Sequence, residues 1–279
     1  MDNNLVLTIS FGYSLDKIRP FVESLRQYYS GNVVVVTNSV DDALQEYFEK
    51  HNIISYLVDD KFPMQLIYFL RWQYYKNVIE DHFPEVDNII VSDIRDVVFQ
   101  DDPFKRLSGN AINWSIDPEK LGNCLEHNGK WVRDIYGEEE FNKAKDQWIL
   151  CAGLLGGTRQ GILDVSNAMI KEAEELTKVG KLTFADQGSL NVLYSRGHFP
   201  DSMINDHFRT MHHSKKLTFD RQGYLINDIG ERIAVVHCYD RLGLLNTAFI
   251  RNAFNLKGRE GVRRAADYVI NNFHEWDLG

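Results

Sequence analysis

One stretch constrains the fold more than any other: Ile89-Ile90-Val91, an apolar β-branched run that stops abruptly in Ser92-Asp93-Ile94-Arg95-Asp96. The run is too short for a helix and carries no polar alternation, which is how a parallel strand buried on both faces reads. Such strands place ligands beyond their carboxyl ends, where Asp93 and Asp96 lie. A turn at Ile94-Arg95 lets the two acids converge on one cation, and carboxylate oxygens suit Mg²⁺ or Mn²⁺. A cation of that kind is useful where a diphosphate is bound and then leaves with its charge neutralised. Acids after a strand also serve as turn and capping residues, so the pattern needs support from elsewhere in the chain.

The segments before this stretch alternate strand with helix. Residues 5–9, 33–36 and 53–58 read as short buried strands. Residues 14–17 open a helix with Ile18, Phe21, Val22 and Leu25 on one face, and residues 41–50 form a second. After Phe62-Pro63, a long amphipathic stretch over 64–79 leads into the aspartate strand. This order predicts an α/β fold with a mainly parallel sheet and helices on both faces. Residues 1–110 are the expected nucleotide-binding half, 111–241 the acceptor and catalytic half, and 242–279 a pair of surface helices separated near Gly258, all within one domain. Tyr13, after the first strand, is placed to stack on a base or simply to cover a helix end. Arg71, on the helix before the aspartate strand, reaches a phosphate, pairs with Asp93, or lies on a solvated face.

A formal charge of -9 over 279 residues argues against general affinity for nucleic acid or an anionic membrane surface. Cys124, Cys151 and Cys238 are too few and too widely spaced for a disulfide framework or a structural zinc pattern. No apolar run approaches the length that spans a membrane, so the expectation is a protein without a transmembrane segment, in a reducing, cytoplasmic setting.

Downstream, a strand is expected over 111–115, and the polar region 118–147, with Trp131 and Tyr136, is a candidate small lobe. Residues 149–158 read as a strand punctuated by glycines, followed by a helix over 160–177. Gly153 lets a ligand or backbone come close; Gly156-Gly157 is either a strand-to-helix turn or a ligand-facing pair. Asp186-Gln187 opens a helix whose apolar side carries Leu190, Leu193 and Tyr194, with Asp186 a possible N-cap. Residues 205–212 and 225–226, around the turn at Asp220-Gly223, suggest late strands or a hairpin. Ile233-Ala234-Val235-Val236 then ends in His237-Cys238-Tyr239-Asp240-Arg241, a second buried strand finishing in polar chemistry.

Asp93-Ile94-Arg95-Asp96, the Cys151-Ala152-Gly153 strand, Asp186-Gln187-Gly188-Ser189-Leu190-Asn191 and His237 together resemble the GT-A-fold glycosyltransferases, especially glycosyltransferase family 8 and its relatives. The family's Asp-x-Asp motif is matched in part: Ile94 stands at its first acid and Asp93 one residue early, which makes Asp96 the firmer ligand. Cys151 stands where the family usually has a polar amide. The resemblance implies a GT-A sheet with a small acceptor-side lobe and a nucleotide-sugar donor, a UDP-sugar first of all. It further implies Mn²⁺ or Mg²⁺ held by Asp93, Asp96 and His237, with the imidazole favouring manganese. Asp186 and Gln187 would take the catalytic positions beside the transferred sugar; the candidate donor contacts are Tyr13, Arg71, Asp93, Arg95, Gly153 and Arg241, with Asp240-Arg241 either touching the diphosphate or pairing internally. Lys215-Lys216 is a candidate closure over phosphate or a solvated basic pair. The expected reaction moves the sugar to a hydroxyl of a glycan or other acceptor with retention; inversion would need a carboxylate base. The alternatives are a sugar nucleotidyltransferase, which would want a glycine-rich phosphate loop that Ser10-Phe11-Gly12-Tyr13-Ser14 does not supply, and a noncatalytic sugar-binding protein on the same scaffold.

Overall fold

A computed structural model describes residues 3–58, 66–183, 185–212 and 217–272, with the side chains of 243–245 excepted. Phe62-Pro63, the expected helix start at Met64, Phe184, Lys215-Lys216 and residues 273–279 lie outside the described residues. In chain order the elements are β1 (Asn4–Ser10), α1 (Leu15–Leu25), β2 (Asn32–Thr37), α2 (Asp42–Lys50), β3 (Ile54–Leu57), α3 (Ile67–His82), β4 (Asn88–Asp93) and β5 (Val97–Phe99). There follow β6 (Ile112–Lys120), α4 (Asn128–Tyr136), α5 (Glu138–Ala144), β7 (Trp148–Thr158), α6 (Arg159–Lys178), α7 (Asp186–Ser195) and β8 (Ser202–Thr210). The short hairpin strands β9 (Thr218–Phe219) and β10 (Leu225–Ile226), then β11 (Val235–His237), α8 (Asn246–Ala253) and α9 (Gly258–Asn272), complete the set.

The fold is α/β, built on a nine-stranded mixed sheet in the order β3-β2-β1-β4-β7-β6-β8-β11-β5. Its first four strands are parallel, as expected from the strand-helix alternation. Beyond β4 the sheet is mixed: β7 runs antiparallel to β4 and β6, β6–β8 and β8–β11 are parallel, and β5 returns antiparallel to β11.

Side-chain alternation along the parallel strands divides the core. Leu5 and Leu7 of β1, Val34 and Val36 of β2, and Ile89 and Val91 of β4 pack with Trp72, Val78 and Ile79 of α3 and Ile162 and Met169 of α6. Val6, Val33, Val35 and Ile90 face the other way, onto Ile18, Phe21 and Val22 of α1 and Leu44 and Phe48 of α2. A strand covered on both faces has no polar side to show, which explains the unbroken apolar runs. Each fully buried aliphatic side chain contributes roughly 1.5–3 kcal/mol. Helix starts are fixed locally where the sequence offers a cap: the Asp41 side chain accepts from Leu44 N at 2.8 Å, and Thr158 from Gly161 N at 3.1 Å.

Two expectations are corrected. The C-terminal helices are not merely superficial, because Phe249 and Ile250 of α8 and Ala265 and Val269 of α9 close a further core cluster against Val98 and Val236. Gly156 and Gly157 are neither a turn nor a ligand-facing pair. They lie inside β7, where a Cβ on Gly157 would stand 2.0 Å from the Ala111 carbonyl oxygen and one on Gly156 2.5 Å from Ile90 Cδ1. Trp114 is fully buried in the core. The region 118–147 folds largely as α4 and α5, with Val132, Phe141 and Ala144 packing against Leu121, Ile149 and Val192.

Candidate active site

The carboxyl end of β4 opens onto a cavity of about 620 Å³, a size that suits a small-molecule ligand. Tyr13, Arg71, Asp93, Arg95, Asp96, Gly153, Asp186, Gln187, His237 and Arg241 all line it. Strand register brings these distant residues together. His237 is the Cα partner of Val97 in the β5–β11 pair, so Asp96 is one residue from the histidine's opposite number. Likewise Ser92 pairs with Leu154, which brings Gly153 beside Asp93. A Cβ at Gly153 would stand 2.4 Å from Asp93 Oδ2 and 2.6 Å from His237 Cε1, so glycine is what lets these groups approach.

His237 Nε2 lies 3.4 Å from both Asp93 Oδ2 and Asp96 Oδ1. That separation is what neighbouring ligands of one cation keep when bonds are about 2.1–2.4 Å long. On the other side of the ring, Nδ1 faces Cys151 Sγ at 3.2 Å. A contact at the second nitrogen fixes the ring orientation and directs Nε2 at the carboxylates. Each acid thus approaches the imidazole, whereas among the described residues the group whose ligand atoms all lie within 4.8 Å of one another joins Asp96 and His237 to Cys238 and leaves Asp93 out. Burial favours the neutral imidazole, yet the His237 pKa is raised well above its ordinary value, with Cys238, Cys151 and then Asp96 and Asp93 on the raising side. Burial also pushes the Cys238 thiol up to about 12, so it is uncharged at neutral pH and the carboxylates supply the charge that favours imidazolium. Asp96 is buried, which opposes ionisation, but His237, Arg95 and Arg241 hold its carboxyl well below the usual range.

Arg71 is not a solvated helix-face residue. It is buried on α3, donates to Asp93 Oδ1 at 2.9 Å and to the Ala152 carbonyl at 3.0 Å, and forms a close ion pair with Asp186. Burial works against its charge, but Asp186 and Asp93 raise its pKa above the ordinary value. Burial pushes the Asp186 carboxyl up against the pull of Arg71. Asp186 is thus no N-cap; Ala185 holds that position. Gln187 accepts from Ala152 N at 3.2 Å and donates to Asn128 Oδ1 at 2.8 Å, which fixes its amide at the cavity wall. Asn191 anchors the same helix, accepting from Leu150 N at 2.9 Å and donating to Leu150 O at 3.0 Å.

At the far edge Arg95 reaches Asp96 at 3.4 Å and Asp240 at 3.2 Å. Burial, then the Asp96 charge, pushes Asp240 up to about 6 against Arg95 and Arg241. Arg241 pairs with His212. Tyr13 sits at the rim, 40% exposed, and burial of its hydroxyl end raises its pKa to about 12.

Trp131, singled out as an aromatic of the small lobe, lines the cavity, while Asn128, His127 and Cys238 carry no sequence signal of their own. Cys238 follows His237 directly, and adjacent strand residues ordinarily point to opposite faces. Among the described residues, Asp96, His237 and Cys238 form a group whose ligand atoms all lie within 4.8 Å of one another.

Compared with known families and curated proteins, the sequence matches no family model and no curated sequence. Among the described residues, no helix is long and apolar enough to cross a membrane.

Proposed function

We propose that this chain is a GT-A-type glycosyltransferase that moves a sugar from a nucleotide-sugar, a UDP-sugar first of all, to a hydroxyl acceptor with retention. The observation that carries the reading is that His237 approaches both Asp93 and Asp96 at the carboxyl end of a parallel strand, in the same cavity as Asp186 and Gln187. Asp93, Asp96 and His237 would hold Mn²⁺ or Mg²⁺. When bound, that ion offsets the negative charge of the departing diphosphate. Arg95 and Arg241 add fixed positive charge at the same end of the cavity, and Tyr13 at its rim offers a ring face for a base.

Gln187 is held from both ends of its amide by Ala152 N and Asn128, so its position does not depend on substrate. A group pre-positioned in this way needs little reorganisation when charge develops beside it. Arg71 neutralises Asp186 and orients Asp93 through separate guanidinium nitrogens. Trp131 and His127 at the wall give the acceptor an aromatic surface.

A nucleotide-sugar screen with and without Mn²⁺, read by nucleotide release and by the anomeric form of the product, tests the reading. Cation-dependent release from one donor class is expected. Failure to consume any nucleotide-sugar under either condition would sink it, and synthesis of a nucleotide-sugar from a sugar phosphate would move the chain to the nucleotidyltransferases.

A further inference from the structure

We propose that Cys238 is itself a cation ligand, so that Asp96, His237 and Cys238 form a carboxylate-imidazole-thiolate site that takes a thiophilic divalent ion of the zinc type in preference to Mn²⁺ or Mg²⁺. The inference rests on the proposed cation site and changes its donor set. Three independent observations support it.

The first is reach: one ligand atom from each of Asp96, His237 and Cys238 lies within 4.8 Å of the other two, and all three residues line the cavity. The second is backbone conformation. Cys238 adopts φ 57°, the left-handed region that residues with a Cβ rarely enter. β11 ends at His237, and at this turn Cys238 packs in the core cluster that holds Val236 while keeping a ligand atom within 4.8 Å of Asp96 and His237. Non-glycine residues in that region gather at functional sites. The third is the donor chemistry. A hard Mg²⁺ site is built from oxygen, whereas sulfur and imidazole together select zinc-like ions, which also stand above manganese in general affinity order. Three protein ligands with a cavity on the remaining side match the arrangement of zinc sites that keep an open position.

Binding replaces a proton: the sulfur of Cys238 gives a lone pair to the ion, and the thiol hydrogen leaves to solvent as H⁺. Cys151 does not belong to the group. Its sulfur meets His237 Nδ1 at 3.2 Å, the ring nitrogen away from the carboxylates, so it orients the imidazole.

The test uses the reduced full-length chain titrated with Cd²⁺ and followed by the ultraviolet sulfur-to-cadmium charge-transfer band. One equivalent should develop the band. Cys238→Ser should abolish it, Cys151→Ser and Cys124→Ser should keep it, and Asp96→Asn should weaken Cd²⁺ binding at least tenfold. Cadmium NMR of the wild-type protein reads sulfur ligation directly and does not depend on any variant folding. Mn²⁺ binding, read in the same preparation by loss of the free-ion EPR signal, tests the cation site separately. Mn²⁺ bound with no cadmium-sulfur signal overturns Cys238 ligation and leaves the site standing. A band that survives Cys238→Ser also overturns it. If neither ion binds, both readings fall.

Discussion

Arg71 and His237 engage the same carboxylate through its two oxygens: Arg71 donates to Asp93 Oδ1 at 2.9 Å, and His237 Nε2 stands 3.4 Å from Oδ2. The two ends of the cavity differ in the kind of positive partner they use. At one end a guanidinium, always charged, pairs with Asp93 and Asp186 and with a backbone carbonyl. At the other, an imidazole faces Asp93 and Asp96, and its proton is one that a cation can replace. Identical acids therefore acquire different roles from their partners. The Arg71 end is a permanent internal network, and the His237 end is a place where a ligand can take over the balancing of charge.

The largest expected effect is on the permanent end. Arg71→Met leaves Asp186 buried without its cation, and denaturant unfolding should show a loss of about 3–5 kcal/mol. A loss under about 1 kcal/mol would mean that Asp186 simply takes up a proton, and the contrast between the ends would collapse.

At the exchangeable end, Asp96→Asn should leave the fold intact. Calorimetry should show Mn²⁺ affinity reduced by more than about 100-fold, beyond the range for an outer partner of a metal ligand. Cation-dependent turnover should vanish with it. Wild-type affinity in this variant would remove Asp96 from the site.

The Gln187 amide is held by Asn128 of α4 and Ala152 of β7 rather than by either charge cluster. Gln187→Ala should lower kcat by roughly 10²-fold, the scale of one lost pre-positioned donor, while UDP affinity measured by calorimetry stays within about twofold. Equal losses would make Gln187 a nucleotide contact instead. Cys151→Ala, which removes only the partner of His237 Nδ1, should cost about tenfold in metal affinity, at the low end for an outer partner.

The smallest effect concerns Asp240, whose carboxyl is raised to about 6 chiefly by burial. Its folded pKa is above the unfolded value, so the folded state holds the extra proton and this group's contribution to stability falls as pH rises from about 4 to 6. Asp240→Asn should therefore gain stability relative to wild type at pH 7 compared with pH 4, by on the order of 1 kcal/mol. A difference that does not change with pH would mean that Arg95 already compensates the charge fully.

The two ends also differ in how far they could be read beforehand. Asp93, Asp96 and His237 stand at the ends of apolar runs, and a run buried on both faces announces both a strand and the residues just past it. The same logic identifies β1 and β2, and the one-faced spacing of Ile18, Phe21, Val22 and Leu25 identifies α1, all from residues close together in the chain. Arg71 offered a weaker cue: pairing with Asp93 stood beside phosphate contact and a solvated helix face, and an arginine on a helix is ordinarily solvated. Its pairing with Asp93 was one of the readings the sequence allowed and the structure bears it out, whereas no local pattern connects it to Asp186. The parallel order was visible for β1, β2 and β4, but the mixed second half was not, because β6 and β8 carry polar positions and β7 pairs antiparallel on both sides.

What the chain's order of residues determined alone is the set of elements and the chemistry at their ends, because apolar periodicity and caps act over a few residues. Tertiary structure decided which of those ends meet. The pairing of His237 with Val97 is a choice of register between segments far apart in sequence, and Cys238 takes a left-handed backbone conformation just past the end of the strand. Register and that single φ depend on packing from the whole fold, so no local pattern encodes them.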